Sequence, residues 1–255
     1  MPEDSSCPVY QLLDVCLHLN NRPILQGLNF QVQQGERVAV LGPSGAGKSS
    51  LLRLLNGSLK PSAGEMTLLG QPVSSLAPRN IRLLQRQVGT IYQQFHLVSA
   101  LKVIHNVNAG HLARWPLWKS LLSLLWPQSL AQAQSVLETV GIPEHLFSPT
   151  AQLSGGQQQR VAIARLLIQN PSIILADEPV SSLDPRLSQD ILTLLTDLTV
   201  THSRTLIISL HDVALAQQFC NRVLGLRQGQ IFFDCAIAQL TPEKLSALYA
   251  TARDT

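Results

Sequence analysis

The chain has 255 residues, 45% of them hydrophobic and only 14% charged, with 19 Lys and Arg against 16 Asp and Glu for a net charge of +3. That length buries a full core and fits one large domain or a domain with a subdomain. A positive excess so small and scattered excludes nucleic acid as a partner read from charge, while a surface this poor in charge points to a docking partner.

The opening residues MPEDSSCPVY are acidic and polar, the wrong texture for a secretory signal. Alternation of apolar and polar residues in VYQLLDVCLHL and LNFQV then predicts antiparallel strands over roughly the first 30 residues. Next, ERVAVLGPSGAGKSSLLRLLNG gives a short apolar strand, a Gly-rich turn and a helix that turns Leu51, Leu52, Leu54 and Leu55 inward and closes at Asn56-Gly57. The turn, residues 42–49, fits G-x-x-x-x-G-K-[ST] between strand and helix, the context that a phosphate-binding loop requires. Backbone N–H groups from Gly42, Pro43, Ser44, Gly45, Ala46, Gly47 and the start of the helix wrap phosphates, apart from the prolyl nitrogen, which has no hydrogen. Lys48 reaches the β and γ oxygens, Ser49 offers a hydroxyl to Mg²⁺, and Ser50 follows in the first turn.

A polar, loop-rich stretch is expected to about Gln87, then a strand in VGTIYQ and a mostly helical middle from about 100 to 170, punctuated by Pro116, Pro127, Pro143 and Pro149. Its most apolar part, WPLWKSLLSLLWP, is interrupted by Lys119 and is shorter than the roughly 20 residues a bilayer demands, so it reads as a buried or surface amphipathic helix. In LSGGQQQRVAIAR, Ser154 precedes a periodic run through Val161, Ala164, Leu167 and Ile168. Ser154-Gly155-Gly156 is therefore either an ordinary N-cap or, at the positive end of a helix, a cradle for an anion. After it, SIILADEP, RTLIISLHD and NRVLGLRQG alternate with helical segments, the pattern of a parallel sheet with crossover helices. Asp177 ends the first of these strands, where a metal-holding carboxylate belongs, and Glu178 beside it is suited to polarise water. The four cysteines, Cys7, Cys16, Cys220 and Cys235, show no metal spacing and read as reduced structural thiols in a cytosolic compartment.

These stretches, in this order, resemble the ATP-binding subunits of ABC transporters along nearly the whole chain. Gly42 to Ser49 matches the Walker A motif, Gln93 in IYQQF the Q-loop, and Leu153 to Gln157 the signature. Ser172 to Asp177 matches Walker B, Ser182-Leu183-Asp184 the D-loop, and His211 the H-loop. The resemblance implies an α/β P-loop NTPase core of mostly parallel sheet, an N-terminal antiparallel β part and an inserted helical subdomain. Residues 1–255 then form one nucleotide-binding domain, with 1–100 plus 171–255 as core and about 101–170 as the helical part.

It also implies ATP and Mg²⁺ as ligands, Glu178 as water-polarising base, His211 on the γ-phosphate, and Gln93 with Ser49 and Asp177 at the metal. Two copies would pack head to tail, so that Ser154, Gly155, Gly156, Gln157 and Asp184 of one act on the nucleotide of the other. Permease subunits at the cytoplasmic face of the membrane would be the further partners, with a solute-binding protein engaged indirectly and no nucleic acid. Where the family usually stacks an aromatic residue on adenine, this chain offers Leu19 beside His18. Several stretches look nearest to the ATP-binding subunits of phosphonate importers. The same motifs fit importers of polar amino acids or methionine, lipoprotein release, or a non-transport ATPase regulating a membrane partner. An end soon after LTPEKLSALYA leads us to expect no regulatory domain.

Overall fold

The computed structural model describes residues 7–126 and 128–250; the acidic start of the N-terminal stretch, residues 1–6, and Pro127 as a helix boundary lie outside the described residues. Strands β1 (Tyr10–Leu19) and β2 (Arg22–Val32) form the expected antiparallel pair, turned by Asn20 and Asn21 at φ 50° and 59°. Asparagine tolerates that left-handed backbone better than other side chains do. After β3 (Arg37–Leu41) comes helix α1 (Lys48–Leu55), which buries all four predicted leucines and ends at Gly57, φ 71°.

The stretch expected to be loop-rich instead holds β4 (Ala63–Leu68), the two-residue β5 (Gln71–Pro72) and α2 (Pro78–Gln85). β4 pairs antiparallel with β1 and buries only Met66 and Leu68, too short an alternation to announce itself; pairing with a preformed neighbour supplies what its own propensity lacks. The N-terminal sheet thus runs β2-β1-β4-β5.

A second sheet forms from β6 (Val88–Ile91), β7 (Ile173–Asp177), β8 (Thr205–Ser209), β9 (Arg222–Arg227) and β10 (Gln230–Ala236) together with β3, in the order β10-β9-β3-β8-β7-β6. All neighbours are parallel except β10 against β9. The central strands are apolar on both faces because both faces are covered. Strand alternation divides their side chains between two cores. Val38, Val40, Ile173, Leu175 and Ile207 join α1 and the antiparallel sheet, whereas Ala39, Leu41, Ile174, Ala176 and Ile208 face the helices on the other side.

Between β6 and β7 the chain forms α3 (Val103–Asn108), α4 (Leu117–Leu125), α5 (Leu130–Thr139) and α6 (Gly155–Gln169). Helices α3 and α5 pack on α6 through Val103, Ile104, Val107, Ala133, Leu137 and Val161, all fully buried. The apolar WPLWKSLLSLLWP stretch forms α4 on the surface, with Leu117, Trp118, Leu121, Leu122 and Trp126 toward solvent. Among the described residues no helix is long and apolar enough to cross a membrane. Helices α7 (Pro185–Thr201), α8 (Val213–Phe219) and α9 (Pro242–Tyr249) complete the parallel sheet's surroundings.

Candidate active site

The C-terminal ends of β3, β7 and β8 meet at one edge of the sheet, the crevice where open α/β sheets bind ligands. The loop from β3 to α1 runs through Gly42, Pro43, Ser44, Gly45, Ala46 and Gly47. Gly47, the N-cap of α1, sits at φ 105°, and a Cβ there would press on Leu25 and the Ile24 carbonyl. Only glycine accepts that backbone in that space. The Lys48 ammonium is buried and donates to the Gly42 and Pro43 carbonyls at 2.8 and 3.2 Å, stretched along the loop that it would share with a phosphate chain. Burial pushes it below the ordinary lysine range, opposed by the charges of Glu178 and Asp177.

Ser49 Oγ donates to Asp177 Oδ1 at 3.1 Å, joining the loop to the end of β7. Ser209, the last residue of β8, donates from Oγ to the same oxygen at 2.8 Å and accepts the Glu178 backbone N–H at 2.9 Å. One hydroxyl thereby fixes both acidic residues. Glu178 stands at φ 46°, a left-handed backbone that a non-glycine residue holds only when its surroundings impose it. Its Oε1 accepts from His211 Nε2 at 2.5 Å, and since a carboxylate only accepts, that nitrogen carries the hydrogen. Ile24, Glu178, Ser44, Gly45 and the stretch Gly47 to Ser50 line a single cleft.

The other predicted residues lie around this centre. The Gln93 amide donates to Ser181 Oγ at 3.4 Å, and Ser181 donates to the Glu178 carbonyl at 3.1 Å, so Gln93 connects to Glu178 rather than directly to Ser49 and Asp177. Ser154 caps α6 in a capping box: its Oγ accepts the Gln157 N–H at 3.3 Å and its own N–H donates to Gln157 Oε1 at 2.9 Å. A Cβ on Gly155 would meet open space, whereas one on Gly156 would strike the Leu187 side chain. Asp184 caps α7 by accepting the Leu187 N–H at 3.0 Å, so the starts of α6 and α7 meet at Leu187. None of residues 154–157 lines the cleft of its own chain.

Sequence reasoning missed four residues. Ser209 and Ser181 tie Glu178 in place. Ile24 lines the cleft, while Leu19, at the end of β1, is half-buried against the core between the sheets. Arg165 on α6 donates to the Phe95 and His96 carbonyls, both at 2.8 Å, and holds the loop after Gln93 in two successive left-handed residues. The one signal that could have found Ser209 is its place two residues before His211 at the end of an apolar run.

Residues 25–181 match the ABC transporter family model. A phosphonates import ATP-binding protein of Pseudomonas fluorescens is 43% identical over 91% of this chain and 88% of its own length. A hypophosphite import ATP-binding protein of Stutzerimonas stutzeri is 40% identical over 94% of this chain and 70% of its own. Among solved structures, a dimeric ATP-binding cassette in a post-hydrolysis state with ADP and Pi superposes with a TM-score of 0.74 at 29% identity, over 89% of this chain and 98% of that one. With a phosphate-binding loop, two acidic residues and a histidine converging at the sheet edge of this fold, the chain belongs to the ABC transporter family as one of its ATP-binding cassettes.

Proposed function

We propose that the chain powers an importer of phosphonate or a related phosphorus oxyanion, as a head-to-tail pair of copies beneath permease subunits on the cytoplasmic face of a membrane. A solute-binding protein brings cargo to the permease. The observation that carries the cargo is the likeness, along nearly the whole chain, to a subunit named for phosphonate import; the hypophosphite relative widens the class to phosphorus oxyanions.

In this reading the triphosphate of ATP lies along Gly42 to Ser50, with the Lys48 ammonium against its β and γ oxygens. Ser49 Oγ and Asp177 Oδ1 form a pair of hard oxygens that fits Mg²⁺, an ion held by few protein oxygens and otherwise by phosphates and water. Mg²⁺ supplies neutralisation of the phosphate charge. Gln93 is assigned to the same set by its place in the motif order. Glu178 accepts the proton of the attacking water as the new bond to the γ-phosphorus forms in line with the breaking bond to ADP. His211 steadies that carboxylate and faces the γ-phosphate.

Ser154, Gly155, Gly156, Gln157 and Asp184 act on the nucleotide held by the other copy. In support, the mouth of α6 carries the positive end of a 15-residue helix and has room at Gly155, yet does not line the phosphate cleft of its own chain. The test is uptake by proteoliposomes holding this chain, its permease and its binding protein. ATP-dependent uptake of labelled phosphonate is expected, and none with Glu178→Gln. Uptake of a polar amino acid or methionine instead, or lipoprotein release, refutes the cargo, and hydrolysis that moves no solute refutes the transporter.

A further inference from the structure

Helix α4 is inside out. On its wheel Leu117, Trp118, Leu121 and Leu122 share one arc, and the first three of these are 77%, 67% and 58% exposed. The opposite arc holds Ser120 and Ser123. Ser123 is buried, donates from Oγ to the Ser120 carbonyl at 2.7 Å, and presents its own carbonyl to His105 Nδ1 at 3.1 Å. Trp126, just beyond the helix, is 68% exposed. An amphipathic helix that turns its serines to the protein leaves its apolar face for something else to cover.

The charge of the sequence that carries this face has one sign. Between Met66 and Leu137 the chain holds six of its 19 Lys and Arg and none of its 16 Asp and Glu, so the remainder is net acidic. Two of the six, Arg114 and Lys119, lie in or just before α4, and two more, Arg82 and Arg86, meet the chain that leads into it. Lys119 Nζ lies 4.8 Å over the Trp115 ring, and Arg82 and Arg86 of α2 share a cleft with Leu112 and Ala113 in which no acidic side chain takes part. His111, stacked on Trp115 at 4.5 Å, is held below the ordinary imidazole range by burial and then by the charges of Lys119 and Arg114.

Aromatic composition narrows the occupant further. All 3 tryptophans of the chain fall in residues 115–126. Indole, apolar in body and polar at its N–H, favours the boundary between hydrocarbon and water. An apolar stripe with tryptophans near both ends and cations on and before its first turn matches a bilayer surface bearing anionic headgroups. A nucleic acid would engage the cations and stack on the indoles but leave Leu117 and Leu121 uncovered.

We propose that α4 and the cations Arg82, Arg86, Arg114 and Lys119 dock on the anionic leaflet of the membrane, holding the cassette against lipid by a contact separate from its permease. This rests on the reading that the chain works at a membrane face, which brings it within reach of lipid. The chain reports its own binding, since all tryptophan fluorescence arises from this stretch. Titration with phosphatidylethanolamine–phosphatidylglycerol vesicles is expected to blue-shift the emission, with quenching by brominated acyl chains, and phosphatidylcholine vesicles to do so far less. Leu117→Ser/Leu121→Ser keeps every tryptophan and should weaken vesicle binding about tenfold or more. Arg82→Gln/Arg86→Gln should abolish the preference for the anionic lipid. Both variants replace exposed or partly exposed side chains away from the phosphate loop, so melting temperature and ATP hydrolysis without vesicles should match the parent protein, separating failure here from failure of the ATPase reading.

The proposal is overturned if the parent protein binds neither vesicle, binds both alike, or loses nothing with the leucine variant. It is equally overturned if duplex DNA shifts the emission where vesicles do not. Self-association that buries this face, disappearing in the leucine variant, would also overturn it.

Discussion

Glu178 combines a left-handed backbone, an N–H fixed by Ser209 and a carboxylate fixed by His211, so its position is over-determined by its neighbours. Glu178→Gln retains size and backbone but cannot accept a proton. ATP binding should persist while hydrolysis falls by about 10²–10⁴-fold, measured as steady-state phosphate release beside nucleotide affinity. Near-normal turnover would remove Glu178 from the role of base. Ser209 tests the support of that residue. Ser209→Ala leaves the Glu178 N–H without its acceptor and Asp177 with the Ser49 hydroxyl but not the Ser209 one, at a cost of about 1–3 kcal/mol in stability. Its kcat should drop more than its KM rises, and Ser209→Thr should restore much of the loss; an unchanged kcat with both variants would mean that Ser209 positions nothing. Cys220 offers a test outside the site: burial pushes its thiol from the usual 9.0 up to about 12. The native protein keeps that proton while the unfolded chain gives it up, so stability from this group is whole below about pH 9 and drains away as pH rises toward 12. Alkylation near neutral pH should therefore mark Cys7, which is exposed, and spare Cys220 until the chain unfolds.

At the scale of elements, α6 has two duties: its mouth carries Ser154 and its body carries Arg165, which grips the loop after Gln93. Arg165→Ala should release that loop, raising hydrogen exchange over residues 93–97, while ATP affinity at the phosphate loop stays within about twofold because no atom of Arg165 lines the cleft. Unaltered exchange would show the loop to be held by other means. Such links explain what the sequence could and could not reveal. The phosphate loop was legible because its chemistry lies in contiguous residues whose glycines and lysine have few other uses. Strands β7 and β8 were legible because double-sided burial demands unbroken apolar runs. Ser209, Arg165 and Ile24 meet their partners from 31, 70 and 154 residues away along the chain, and no local pattern encodes such a meeting. β4 escaped because half of it faces solvent and pairing, not propensity, makes it a strand. For α4 the periodicity predicted an apolar stripe correctly, but periodicity carries no sign: it cannot say whether the stripe turns inward or out.

For the whole molecule, the telling feature is that residues 154–157 at the mouth of α6 do not line the phosphate cleft of their own chain. A second copy turned head to tail would bring mouth and cleft together. Ser154→Arg places a long cation at the mouth of α6 and leaves the cleft untouched, so each copy should still bind ATP while ATP-driven dimerisation and hydrolysis fail. Lys48→Ala fails in the other way, by removing the fixed positive charge against the phosphates. Each variant alone is expected to be nearly inactive. Mixing them decides between action within a chain and action across chains. In a mixed dimer the altered cleft of one copy faces the altered α6 mouth of the other, and the second composite site keeps both intact halves. Activity should rise above either parent variant, up to about half of the wild-type rate per dimer if one site can turn over alone. Should both sites have to fire together, hydrolysis would stay low but ATP would still drive the mixed chains to pair, which sedimentation detects. No rescue and no ATP-dependent pairing in the mixture, alongside normal dimerisation by Ser154→Arg alone, would return the mouth of α6 to the role of an ordinary helix cap.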